Sequence, residues 1–185
     1  FARGETITHA NGMPVRLLGP PLDFVAVTDH AEYLGVVEEM GNAGDPASRQ
    51  FHAELIKKTS NRDLVSAFRS FNISSGKLKK EIYKENIVRS TWQQVIESAN
   101  RHYEPGRFTT FIGFEYTSSP GGYHLHRNVI FKGDSGPEIP FSSFLSQNAE
   151  DLWRWLDKQR EKGFDAISIA HNPNLSNGNM FPPNQ

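Results

Sequence analysis

Seven polar residues lie in or directly after apolar stretches of this chain: Asp29, His30, Glu115, His124, His126, Asn128 and His171. Imidazole and carboxylate are the donors of a divalent metal centre that uses no thiolate, and the chain contains no cysteine. The absence of cysteine also removes disulfides and thiolate nucleophiles. An ionised carboxylate inside "FIGFEY" is expensive to bury unless a cation or a full set of donors compensates it, so Glu115 requires a partner. Histidines delivered to one rim by separate strand ends would supply it through a bound metal, and a metal with an open position activates water for hydrolysis.

Each of these residues also has a plainer explanation. His30 can cap a turn after a strand, and Glu115 can pair with Arg127 or Arg107. In "HLHRN", strand alternation puts His124 and His126 on one face, which a hydrated sheet surface explains as well as metal binding does. His171 can cap a turn before Asn172. Asn172, Asn174 and Asn177 beside it can hydrogen-bond a substrate or merely form Asx turns. His9, His52 and His102 fall in a loop, an amphipathic helix and a helix end, and carry no assigned chemistry. No nucleophile elbow occurs in the serine-rich stretches, and "GNAGDP" is not a phosphate-binding glycine loop.

These residues need elements to position them. "LDFVAV", residues 22–27, is a short apolar run after "GPP" and reads as a buried strand that ends at Asp29 and His30. Residues 47–71 carry apolar positions at near-helical spacing, with "TSNRD" a possible break. A helix is expected through "STWQQVIESANRHY", capped by Ser90 or Thr91, with Trp92, Val95, Ile96, Ala99 and Tyr103 on its apolar face. "FTTFIGFEYTSS" reads as one core strand carrying Glu115, and "HLHRNVIFK" as a second. A helix from about Ala149 to Glu161 keeps its period with Leu152, Trp153, Leu156 and Gln159. "FDAISIA" is the last strand and delivers "HNPNLSNGN". Strands alternating with helices predict an α/β fold whose function collects at the C-terminal edge of a parallel sheet or barrel.

Composition narrows the function classes. With 20 basic and 21 acidic residues the net charge is −1, so the basic footprint of a nucleic-acid binder is missing and no nucleic-acid partner is expected. No apolar run reaches the length of a membrane span, no signal sequence opens the chain, and neither a membrane partner nor a compartment is indicated. The 185 residues suit one domain or a piece of a larger one. The chain starts at "FARGE" without Met and stops at "NMFPPNQ", after a loop rich in potential ligands. One domain over residues 1–185, incomplete at both ends, is therefore expected.

"PLDFVAVTDHAEYLG" resembles the second motif of the PHP (polymerase and histidinol phosphatase) superfamily of metal-dependent hydrolases. Together with "FARGE", "GFEY", "HRNVIF" and "AHNPNLSNG", in that order, it resembles the domain of unknown function 3604 family over nearly the whole chain. The resemblance implies part of a distorted (β/α)7 barrel with two or three divalent metals (zinc, manganese or iron) at its C-terminal rim. It implies His30 as a metal ligand with Asp29 orienting its ring, Glu115 as a carboxylate bridging two metals, and His126 and His171 as ligands that share a metal with it. Glu115 and Asp29 are the catalytic assignments, and His124 is an alternative ligand or a substrate contact alongside Asn172, Asn174 and Asn177.

The superfamily's opening His-x-His and closing Asp-x-His motifs are absent. Glu115, His126 and His171 could still form a three-ligand site with water, leaving His30 to Asp29 and solvent. The implied function is metal-dependent hydrolysis of a small anionic ester, a phosphoester in the leading reading, with the chain by itself inactive. The alternatives are a non-catalytic metal- or ligand-binding module and a nuclease or proofreading domain.

Overall fold

The computed structural model describes residues 1–9, 12–35 and 83–181. The helical spacing expected over residues 47–71, with His52, and the "GNAGDP" stretch lie outside the described residues.

The described residues form a mixed α/β structure. A hairpin of β1 (Ile7–Thr8) and β2 (Pro14–Val15) precedes β3 (Phe24–Ala26), which pairs in parallel with β4 (Thr109–Phe111). A three-stranded antiparallel sheet follows, in the order β5 (Gly113–Tyr116), β6 (Arg127–Phe131), β7 (Ala166–Ala170). Two helices, α1 (Glu85–His102) and α2 (Ala149–Glu161), pack with these strands. Among the described residues only the β3–β4 pair, extended by one bridge, is parallel, and they close no barrel.

The run expected as one strand from Phe108 onward is two. β4 pairs with β3, and at Ile112 the chain changes from one neighbour to two: the Ile112 carbonyl accepts from Phe131 N at 2.9 Å, opening the ladder to β6 on the second edge. Gly113 makes the change possible, since a Cβ there would lie 3.0 Å from the Val129 carbonyl and 3.1 Å from Thr28 Cγ2.

α1 begins five residues before the expected cap at Ser90 or Thr91. Ile87 and Val88 extend the apolar stripe of Trp92, Val95, Ile96 and Ala99 upstream, and Arg89 bonds Glu85 one turn away at 2.8 Å. At the other end Tyr103 is the C-cap and is exposed rather than on the packed face.

α2 has the expected bounds, capped by Asn148, whose side chain accepts from Glu150 N at 3.1 Å. Trp153 does not join its packed face: it is exposed, and Trp155 takes that place against Phe114 at 6.1 Å between ring centroids. Leu152, Trp155, Leu156 and Gln159 follow the i, i+3, i+4, i+7 pattern, from which Trp153 is displaced by about 100° from Leu152.

The core gathers Trp92, Ile96, Ile112, Phe114, Tyr116, Val129, Phe131, Leu152 and Leu156. Trp92 is fully buried, meets Phe114 edge to face at 5.8 Å, and donates its indole N–H to the Pro137 carbonyl at 2.7 Å. Neither described helix is long and apolar enough to cross a membrane.

Candidate functional site

Strand direction gathers the site. β5 and β7 are each antiparallel to β6, so they run the same way as one another, and β3 runs with them through the bridge between His30 and Glu115. The C-terminal ends of β3, β5 and β7 and the N-terminal end of β6 therefore share one rim. His30 follows β3, Glu115 lies within β5, His126 immediately precedes β6 and His171 immediately follows β7.

Side-chain alternation then selects the face. Phe114, Val129 and Phe131 turn into the core, while Glu115, its ladder partner Asn128, and the exposed Ile167 and Ile169 fall on the other side. His126 and His171 continue that second side by parity.

Glu115 is the centre. It is buried, and His126 Nδ1 lies 2.8 Å from its Oε1, while His30 Nδ1 and His171 Nε2 lie 3.7 and 3.9 Å from its Oε2. Among the described residues its partners are thus imidazoles rather than arginine. Arg127 sits opposite Tyr116, on the alternate side of the ladder from Glu115, and Arg107 pairs with Glu104 at 3.6 Å. Burial alone would push the Glu115 carboxyl up, but the close His126 nitrogen and the charges of His30, His126 and His171 outweigh it and hold the group below its ordinary range.

The His126–Glu115 contact has hydrogen-bond length without hydrogen-bond direction. Glu115 Oε1 and His126 Nδ1 are both buried and both lack a hydrogen-bond partner. Two donor atoms so arranged resemble adjacent ligands of one ion, which at metal–donor bonds of about 2.1 Å can be up to about 4.2 Å apart. The separations from Glu115 to His126 and to His171 both fall within that limit. Pair by pair, these residues fit a divalent cation. As they stand, no three His, Asp or Glu side chains among the described residues form a group that could hold one.

The other expected residues divide. His124 stacks on His126, ring centroids 4.5 Å apart at 8°, so the two share a side although the strand begins only at Arg127. Burial, reinforced by His126 and opposed by Glu115, pushes the His124 pKa down. Asp29 meets Glu115 through its backbone, its carbonyl accepting from Glu115 N at 2.8 Å. Its exposed carboxylate makes no hydrogen bond or ion pair among the described residues.

The asparagine loop is strapped to the site, because His171 N donates to His126 O at 2.9 Å and His124 N donates to Leu175 O at 3.1 Å. Asn172 and Asn177 adopt left-handed backbone at φ 54° and 51°, a conformation asparagine tolerates better than most residues. Asn174 and Asn177 are exposed and, among the described residues, have no hydrogen bond to Glu115 or the histidines. His102 bonds the Ser98 carbonyl at its helix end, apart from the site.

Three further residues belong to the site without having been expected there. Thr117 Oγ1 is 2.6 Å from His30 Nδ1, and Ser119 Oγ is 3.1 Å from His126 Nε2. Glu32, buried, accepts on Oε1 from Thr117 N at 3.2 Å and Ser143 N at 2.7 Å. The available signal was the alternation Glu115, Thr117, Ser119, together with an acid inside the otherwise apolar turn "AEYLG".

Neither the comparison with curated proteins nor that with solved structures yields a match. A family model described as "Protein of unknown function (DUF3604)" matches residues 1–185, and the chain that carries this histidine-ringed carboxylate belongs to that family.

Proposed function

We propose that this chain carries the metal centre of a PHP-like hydrolase acting on a small anionic ester, a phosphoester in the first instance. One observation carries the proposal: a buried carboxylate, Glu115, has imidazoles from three other segments around it and, among the described residues, no arginine or lysine in its ion pairs. In this reading Glu115, His126 and His171 hold one divalent ion, and His30 contributes to a second. Zinc, manganese and iron all suit such donors. Bound there, the ion lowers the pKa of water toward neutrality and offsets charge on the transferred group.

The chain's own residues prepare that chemistry. The imidazoles keep Glu115 ionised, so it meets a cation as an anion. Ser119 holds the far nitrogen of His126, steadying a ring whose near nitrogen faces the carboxylate. Asn172, Asn174, Asn177 and His124 border the site as hydrogen-bonding groups for the substrate. The distorted (β/α)7 barrel belongs to the same proposal, supported by the parallel register of β3 and the position of Glu115 and the histidines at one rim.

The test compares the full-length protein with its Glu115→Gln variant, by elemental analysis for bound metal and by hydrolysis of p-nitrophenyl phosphate and its diester with zinc, manganese or iron. Loss of both metal and turnover in the variant is expected, and unchanged turnover would sink the assignment. A non-catalytic binding module is the second reading, favoured by the absence of a three-ligand group among the described residues. Metal uptake without any chelator-sensitive hydrolysis would select it.

A further inference from the structure

We infer that Thr117 is a positioning residue: its hydroxyl accepts the Nδ1 proton of His30 that the neighbouring Glu115 charge favours, holding the ring's orientation and leaving Nε2 as its free lone pair. Asp29 was expected to orient this ring, yet its carboxylate makes no bond among the described residues. The contact that does hold the ring is Thr117 Oγ1 to His30 Nδ1 at 2.6 Å.

The direction of that bond follows from electrostatics. A hydroxyl can donate or accept, so distance alone leaves both tautomers open. The Glu115 carboxylate, 3.7 Å from the same Nδ1, breaks the tie. A negative charge beside Nδ1 favours a proton there and disfavours a lone pair. His30 therefore carries its proton between Thr117 and Glu115, and Nε2 is the atom left to coordinate.

The hydroxyl is itself held in place. Glu32 Oε1 accepts the backbone N–H of Thr117 at 3.2 Å and that of Ser143 at 2.7 Å. Glu32 lies two residues after His30 in the Ala31–Tyr33 turn, so the segment that presents the imidazole also anchors the residue that orients it. His30 itself is half exposed, with side-chain accessibility of 52%. Packing cannot fix a ring so open, which leaves orientation to the hydrogen bond.

The inference rests on the metal-centre proposal only for its second readout. The first is long-range ¹H–¹⁵N correlation of the imidazoles in the metal-free chain at about pH 8, where ordinary histidines are neutral, with His30 assigned by its absence in His30→Gln. A pyrrole-type Nδ1 and a pyridine-type Nε2 are expected in the parent, in Thr117→Ser and in Thr117→Val, where the Glu115 charge remains, with the His30 ring more mobile on the ps–ns timescale in Thr117→Val, and a mixture of tautomers is expected in Glu115→Gln. A parent whose proton sits on Nε2, or a His30 ring as ordered in Thr117→Val as in the parent, overturns the inference. The parent measurement decides even where Thr117→Val does not fold.

The second readout is titration with Zn²⁺ and Mn²⁺, in which Thr117→Val is expected to weaken binding roughly 10- to 100-fold while Thr117→Ser stays near the parent. A parent with the expected tautomer that takes up neither ion supports the Thr117 assignment and overturns the metal-centre proposal. Tight metal binding together with the wrong tautomer does the reverse.

Discussion

The backbones of His30 and Glu115 are paired by a parallel β-bridge that keeps the register in which Phe24 faces Thr109 and Ala26 faces Phe111. The pairing lapses between Ala26 and His30 and resumes without slipping. A one-residue slip would turn Glu115 to the opposite face of its strand relative to His30, so this register determines whether the imidazole and the carboxylate can meet at all. The hydrogen bond from Glu115 N to Asp29 O, at 2.8 Å, pins it.

Glu115 is expected to be the most sensitive position for metal binding. Glu115→Gln removes the anionic donor while preserving volume, and should weaken metal binding by more than the roughly 10- to 100-fold typical of residues that merely support a ligand. Calorimetric titration with Zn²⁺ checks this, and affinity equal to the parent's would contradict it.

Acidification should weaken the fold in two stages. His124 is held below its ordinary value of 6.5, so its contribution is complete above that pH and is lost as pH falls from there through the lower folded value. Glu115 is held below 4.5, and its contribution is lost as pH falls below that value in the same way. Urea midpoints followed from about pH 7.5 to about pH 3 should show both declines. His124→Asn should flatten the upper one and Glu115→Gln the lower one.

Glu32 serves stability as well as the site. In Glu32→Ala the N–H groups of Thr117 and Ser143 lose their acceptor, at about 1–3 kcal/mol for each group left unsatisfied. Chemical denaturation should detect the loss. If stability is unchanged, solvent has replaced the carboxylate and the clamp on Thr117 is not needed.

Trp92 tests the core beneath the sheet. Trp92→Ala is expected to cost about 3–5 kcal/mol. Trp92→Phe keeps most of the apolar volume but leaves the Pro137 carbonyl without its donor, at about 1–3 kcal/mol. The difference between the two variants in urea melts separates packing from the hydrogen bond.

Gly35 joins the His30 segment to α1. Its φ is 74°, and a Cβ there would collide with Thr91 Oγ1. Gly35→Ala should destabilise by about 1–3 kcal/mol. Adding Thr91→Ala should recover only the part due to Oγ1 and Cγ2, since Thr91 Cβ, 2.8 Å from the added methyl, remains and the backbone conformation stays unfavourable for alanine. A double-mutant cycle of the two substitutions measures that part.

What the sequence determined by itself is what depends on neighbours along the chain. The period of Leu152, Leu156 and Gln159 sufficed to bound α2, and the apolar runs before His30, around Glu115 and before His171 marked out the polar residues that the fold brings together. Alternation was enough to place His124 with His126, whose rings do stack. The tertiary structure decided what depends on pairing between distant segments. At Ile112 the run gains β6 on its second edge, while the His30 segment keeps its register on the first. Trp155 displaces Trp153 because the sheet lies on one side of α2. Only the fold shows Glu115 ringed by three imidazoles, and Thr117 rather than Asp29 at the nitrogen of His30. Periodicity is a property of the local backbone, whereas a hydrogen bond between residues 87 positions apart exists only once strand register has brought them together.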